Sequence, residues 1–253
     1  MFSDMIRESK SFMHVMEVYD NYKKIGIDYR PITEGEENEM VRGFIEYRKE
    51  SFAKRKTDNG MMIFTETKIN QSYPDIIFIE YIHQKYDNWC EKRNMLVKDD
   101  YKVLHFIYQR NSVTSQQIIK GLNISYQKLL LSIESLIDAK LVDRLDGEWA
   151  ILNKKDMFGV KKIETVEAKI SNWNKVIQQA LINKSFASES FVLSKRKRFP
   201  KQRDVEMANS FGIGIYLFDS NKYSQISKAK YSKFPLNYNS IYLNECIGRI
   251  INS

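Results

Sequence analysis

Cysteine and histidine are scarce in this chain of 253 residues, with two of the first and three of the second. Cys90 and Cys246 lie far apart in sequence, so neither a disulfide framework nor a zinc-ligand spacing exists. His14, His83 and His105 are scattered, and His105 falls in an apolar helical run. A histidine-rich metal centre is therefore not expected. No run of roughly 18 apolar residues, the length a membrane helix needs, is present. The first residues lack the apolar core of a signal peptide. These absences predict a reducing, cytoplasmic setting and no membrane partner. Internal repeats are absent too.

What is present is globular. The chain is 43% hydrophobic and 13% aromatic, well outside the disordered range. Its net charge of +8 favours a polyanionic partner, and nucleic acid is the commonest one. A solvated, lysine-rich surface would give the same charge.

Hydrophobic periodicity divides the chain into three stretches. Residues 1–97 are read as N-terminal helices and the first half of an α/β core. Met5, Phe12, Met13, Met16, Tyr19 and Tyr22 recur at helical spacing before Pro31. Thr33 and the acidic run to Glu39 suit a helix N-terminus, with the helix extending to about Arg55. Thr57-Asp58-Asn59-Gly60 is a turn. Strands are predicted over Met61–Ile69 and from Asp75.

Residues 98–153 have a different character. Helices are predicted over 100–110, after Thr114 and over Ser125–Ala139, with Thr114 and Gln117 forming a capping box. Asp146-Gly147 between two apolar runs predicts a hairpin. The third stretch, 154–253, resumes with a strand over Ile163–Ile170 and a helix from Asn172. A strand at Phe191–Leu193, a short helix ending near Asn209 and a strand over Phe211–Phe218 follow. No element is predicted after Ser220.

The chemistry-bearing candidates are Asp75, which follows the only Pro in the chain that precedes Asp, and the pair Glu167 and Lys169. An acid two residues before a lysine occurs at Glu8, Glu66, Asp100, Asp138 and Glu167, so the pattern alone carries little. Context selects the last. Glu167 and Lys169 lie in a predicted strand, where alternate residues share a face, with an amphipathic helix directly after. Carboxylates and a lysine brought together suit a divalent metal and an activated water. The alternative is an ordinary surface ion pair, worth under about 1 kcal/mol.

The order helix, strand, strand with Pro-Asp, strand with Glu-x-Lys, helix, strand resembles the core of the PD-(D/E)XK, or restriction-endonuclease-like, nuclease superfamily. The likeness spans residues 34–80 and 160–219 and includes the phrase VEAKISNWNKVIQQALINKSFASESFVLS. The segment TSQQIIKGLNISYQKLLLSIESLIDAKLVDRLDGEWAIL resembles a winged helix-turn-helix module inserted into that core. The resemblance implies a mixed central sheet flanked by helices. It also implies a metal-dependent DNA endonuclease, or a nuclease-like protein, with defence or mobile-element biology as its setting.

By the same resemblance Asp75 and Glu167 would be ligands of Mg²⁺ or Mn²⁺, and Lys169 would orient the attacking water. Gln179, or Gln178 one position earlier, would position Lys169 or a phosphate, and Glu39 or Glu46 would complete the shell. The module would offer Gln127, Lys128 and Leu131 from its third helix and Arg144 from its wing to DNA. The basic run holding Lys195, Arg196, Lys197 and Arg198 would contact phosphates. A homodimer would suit double-strand cutting. Two other readings stand beside this one: a non-catalytic DNA-binding regulator, and a protein-interaction scaffold.

Overall fold

The computed structural model describes residues 15–18, 25–170, 172–195, 201–220 and 222–253. They form two compact units. One comprises residues up to Ile82 together with Val160–Leu236; the other comprises His83–Gly159 and Asn237–Ser253.

The first unit is built on a mixed seven-stranded sheet flanked by helices. Its strands are β1 (Val15–Glu17), β2 (Asn59–Thr65), β3 (Ile76–Ile82), β7 (Val160–Ala168), β8 (Glu189–Lys195), β9 (Gly214–Asp219) and β10 (Lys222–Ser227). They lie side by side in chain order. β2, β3 and β7 form an antiparallel meander, while β7, β8 and β9 run parallel.

Side-chain alternation distributes the core to both faces. Phe191 and Leu193 pack with Met40, Phe44 and Ile45 of helix α1 (Glu36–Ala53). Val192, between them, packs with Val176, Ile177 and Ala180 of helix α5 (Trp173–Asn183) and with Ala208 of helix α6 (Gln202–Ser210). Burying both faces explains why these strands read as continuous apolar runs.

Several expectations are corrected here. Val15–Glu17 is a strand parallel to β2, where the spacing predicts a helix; backbone pairing at the sheet edge overrides a weak local pattern. Met5, Phe12, Met13, Tyr19 and Tyr22 lie outside the described residues. β2 stops at Thr65 rather than Ile69, because Glu66 takes a left-handed conformation with φ 51°. The tail after Ser220 forms β10 and a fourteen-residue helix.

The second unit contains α2 (Lys98–Arg110), β4 (Ser112–Val113), α3 (Ser115–Leu122), α4 (Tyr126–Asp138), β5 (Val142–Leu145), β6 (Glu148–Ile151) and α7 (Tyr238–Ile251). Its sheet has the order β4-β6-β5. Thr114 caps α3 as expected, its Oγ1 accepting from Gln117 N at 3.3 Å while Gln117 Oε1 accepts from Thr114 N at 2.8 Å. Asp146 and Gly147, with φ of 49° and 84°, form the hairpin turn between β5 and β6.

Leu104, Ile107, Ile118, Leu129, Ile133 and Leu136 make this unit's core, which also includes Ile241 of α7. The unit is wider than residues 98–153, since it begins at His83 and recruits the C-terminal helix. Arg93 fixes that helix: its Nε and Nη2 donate to Glu245 at 2.9 and 2.5 Å, and its guanidinium lies 4.0 Å from the Trp89 ring. No helix among the described residues is long and apolar enough to cross a membrane.

Candidate functional site

The antiparallel register pairs Thr65 with Ile76 and Ile76 with Val166. Extending it by one residue sets Glu66, Asp75 and Glu167 abreast at the ends of β2, β3 and β7. The backbone follows that extension. Glu66 N donates to Asp75 O at 3.3 Å, and Ala168 N donates to the Asp75 carboxylate, Oδ2, at 2.6 Å. Asp75 and Glu167 are both buried, at 7% and 3% exposure.

Asp75, one residue before β3, lines a cavity beside Glu37 of α1, whereas Glu167, next to α1-facing Val166 in β7, faces the α5 side of the sheet. There Asn183 donates from Nδ2 to Glu167 Oε1 at 2.6 Å. Asn183 is fully buried and its Oδ1 has no hydrogen-bond partner. Gln179 stands one turn earlier on the same helix face, and its Oε1 is likewise buried without a partner. The helix side chain that touches Glu167 is therefore Asn183 rather than Gln179. Gln178 is exposed.

Lys169 continues the pairing one residue beyond β7, with its N–H donating to Leu193 O at 2.9 Å. Its side chain curls over the strand end to the α1 side, where Nζ donates to Glu37 Oε1 at 2.5 Å. Glu167 and Lys169 thus diverge, one toward α5 and one toward α1, although strand alternation predicts a shared face. The α1 acid that meets Lys169 is Glu37; Glu46 lines the cavity beside it. Glu39 and Glu46 are exposed, and Glu46 pairs with Lys49 at 2.8 Å.

The segment before α1 supplies a further cation. Arg30 Nε donates to Glu66 Oε2 at 2.6 Å, and its Nη2 reaches Asp75 Oδ1 at 3.4 Å. A cavity of about 890 Å³ opens here, lined in part by Arg30, Glu37, Glu66, Asp75 and Lys169.

Burial raises the Glu167 carboxyl well above the usual carboxylate range; the Asp75 charge adds to the rise, and the Asn183 hydrogen bond opposes it. Burial raises Asp75 too, against the Ala168 N–H, and the Glu66 and Glu37 charges add to it. Burial works against the Lys169 ammonium, but Glu37 overcomes it and leaves the pKa raised. Lys169 is thus held as a cation. Among the described residues, no three His, Cys, Asp or Glu side chains already form a metal-binding group.

Four residues of this cluster escaped sequence reasoning: Arg30, Glu37, Glu66 and Asn183. Only Glu66 carried a signal, as the acid of a second Glu-x-Lys tripeptide. The other candidates lie elsewhere. Gln127, Lys128 and Leu131 are exposed on α4, beside exposed Tyr126 and Leu130. Arg144 is exposed on β5, its guanidinium 5.7 Å from the Trp149 ring. Lys195 ends β8 and pairs with Glu36 at 3.1 Å. Arg196, Lys197 and Arg198 lie outside the described residues.

No protein-family model matches the chain, and no curated protein or solved structure matches it either.

Proposed function

We propose that this protein is a Mg²⁺- or Mn²⁺-dependent DNA nuclease with a PD-(D/E)XK core, and that its second unit is an inserted winged helix-turn-helix. One observation carries the reading. Two buried carboxylates, Asp75 and Glu167, lie abreast at adjacent strand ends, with Lys169 two residues on. The order α1-β2-β3-β7-α5-β8 also follows the core that the resemblance implies.

The donor chemistry fits a small, hard divalent cation. Asp75 and Glu167 offer oxygen donors, and their mutual repulsion in a buried place is what a cation relieves. Asn183, which donates to Glu167, carries a further buried oxygen, Oδ1, without a hydrogen-bond partner. Bound by Asp75 and Glu167, the cation would supply Lewis acidity toward a phosphate oxygen and toward water.

The chain's own groups do the rest. The Ala168 N–H fixes one Asp75 oxygen and Asn183 fixes one of Glu167, so the pair is preorganised. Lys169, charged and held by Glu37, stabilises the negative charge that builds on phosphorus oxygens as water attacks in line. The net charge of +8 favours approach of the polyanion, and Gln127, Lys128 and Arg144 are exposed to meet it.

Incubation with supercoiled plasmid tests this. Nicking or linearisation with Mg²⁺ or Mn²⁺, abolished by chelator, is the expected result; intact plasmid under every metal condition would sink the reading.

A second reading, a DNA-binding regulator that does not cut, is favoured by the cluster's internal neutralisation. Arg30 lies on Glu66 and Asp75, and Lys169 lies on Glu37. It predicts DNA affinity that metal does not change.

A further inference from the structure

Arg30 is the unexpected member of the acid cluster. Its position is set by backbone as well as by charge. Arg30 N donates to Glu66 O at 2.9 Å, Lys68 N donates to Asp28 O at 2.8 Å, and Tyr29 bridges Thr67. These bonds lay residues 28–30 against the end of β2 and aim the guanidinium at Glu66 and Asp75.

The side chain is not locked there. Its contact with Glu66 is short, but the one with Asp75 is a long 3.4 Å, and the side chain is 48% exposed. A guanidinium offers five donors in a planar fork that suits a phosphate as well as a carboxylate. Arg30 also lines the cavity at the acid cluster, where a phosphodiester would enter.

We propose that Arg30 is a substrate phosphate-binding residue, and that in the free protein its guanidinium occupies the place of the divalent cation at Asp75. This rests on the nuclease reading of the site. An arriving phosphodiester draws the guanidinium off Asp75, which frees that oxygen for metal. Metal and DNA then favour one another, and the free protein holds metal weakly. Sequence alone gives no hint of this role, since Arg30 belongs to no motif.

Two equilibrium measurements on the full chain test it without relying on turnover. Mn²⁺ binding to the free protein is titrated by calorimetry for wild type, Arg30→Gln, Arg30→Lys and Glu167→Gln. DNA binding to the same proteins is titrated in calcium buffer across a salt series. Arg30→Gln should bind Mn²⁺ at least about fivefold more tightly than wild type, while Arg30→Lys stays near wild type. Arg30→Gln should also bind duplex more weakly, and its slope of log affinity against log salt should fall by about one phosphate contact.

Unchanged Mn²⁺ affinity, or an unchanged salt slope, in Arg30→Gln overturns the inference and leaves the nuclease reading standing. Mn²⁺ binding that is absent from Arg30→Gln as well as from wild type, or that is indifferent to Glu167→Gln, brings down the nuclease reading itself and this inference with it. Circular dichroism melts of each variant in Mn²⁺ exclude misfolding as the source of any loss.

Discussion

Asp75 Oδ2 accepts a 2.6 Å hydrogen bond from the backbone N–H of Ala168, the residue directly after Glu167. A side chain from the start of one strand is thereby pinned to the end of its antiparallel neighbour. The bond brings two carboxyl groups, 92 positions apart in sequence, to one place. It orients Asp75 through a backbone N–H, which a proline at position 168 would remove.

Glu167→Gln and Lys169→Ala should each abolish plasmid cleavage while leaving the far-ultraviolet dichroism spectrum intact. Glutamine keeps the shape of Glu167 and removes its charge. Alanine removes the cation that faces the phosphate. Undiminished metal-dependent cutting by both purified variants would refute the site.

Stability should depend on pH in a direction set by the buried pair. Burial raises both carboxyls, with the Asp75 charge adding at Glu167 and the Glu66 and Glu37 charges adding at Asp75, so the folded chain binds these protons more tightly than the unfolded one. Their stabilisation is fully present below the unfolded carboxylate range, about pH 4. It is lost as pH rises through the raised folded values. Glu167→Gln should therefore gain melting temperature relative to wild type as pH increases in metal-free buffer. A constant difference between the two proteins from pH 4 to 9 would contradict the shifts.

Asn183→Leu removes the only side-chain donor that meets Glu167 Oε1 among the described residues, at nearly constant volume. A buried acceptor left unsatisfied costs about 1–3 kcal/mol, readable by urea denaturation. Losing this support should also weaken Mn²⁺ binding by about 10–100-fold, measured by calorimetry. Wild-type values for both would remove Asn183 from the site.

In the second unit, Arg93→Ala should be among the most damaging substitutions. It would strand Glu245, which is fully buried, without its bidentate partner. Removing one member of a buried pair costs about 3–5 kcal/mol. Chemical denaturation followed by Trp89 fluorescence would report it, because that ring stacks on the guanidinium. A loss under about 1 kcal/mol would mean that water reaches Glu245.

Lys128→Ala and Gln127→Ala separate the roles proposed for α4. The lysine change should weaken DNA binding across all sequences and lower the salt slope by about one. The glutamine change should alter preference among sequences with little effect on that slope. Fluorescence anisotropy against a panel of duplexes distinguishes them. Indifference of both would favour a protein partner for this helix, whose exposed face also carries Tyr126, Leu130 and Leu131.

The amino-acid sequence by itself determined most of the elements. Apolar runs bounded by turns placed β3, β7, β8 and β9. Helical spacing placed α1, α3, α4 and α5, and Thr114 with Gln117 marked one helix start to the residue. These are local signals, written in the periods of strand and helix. The sequence also singled out Asp75, Glu167 and Lys169, because a strand context around a Glu-x-Lys and the lone Pro-Asp are both local features.

Tertiary structure alone decided how those residues meet. Asp75 lies abreast of Glu167 because the β3–β7 register sets it so, and register is a property of two distant segments. Glu37 rather than Glu39 or Glu46 reaches Lys169 because helix phase against the sheet is fixed by packing of Met40 and Phe44. Asn183 supplants Gln179 for the same reason, one turn along α5. Arg30 enters only because a loop is hydrogen-bonded across the end of β2. Charge on a side chain can be read from a single position, but the burial and neighbours that set its chemistry come from contacts between segments far apart in the chain.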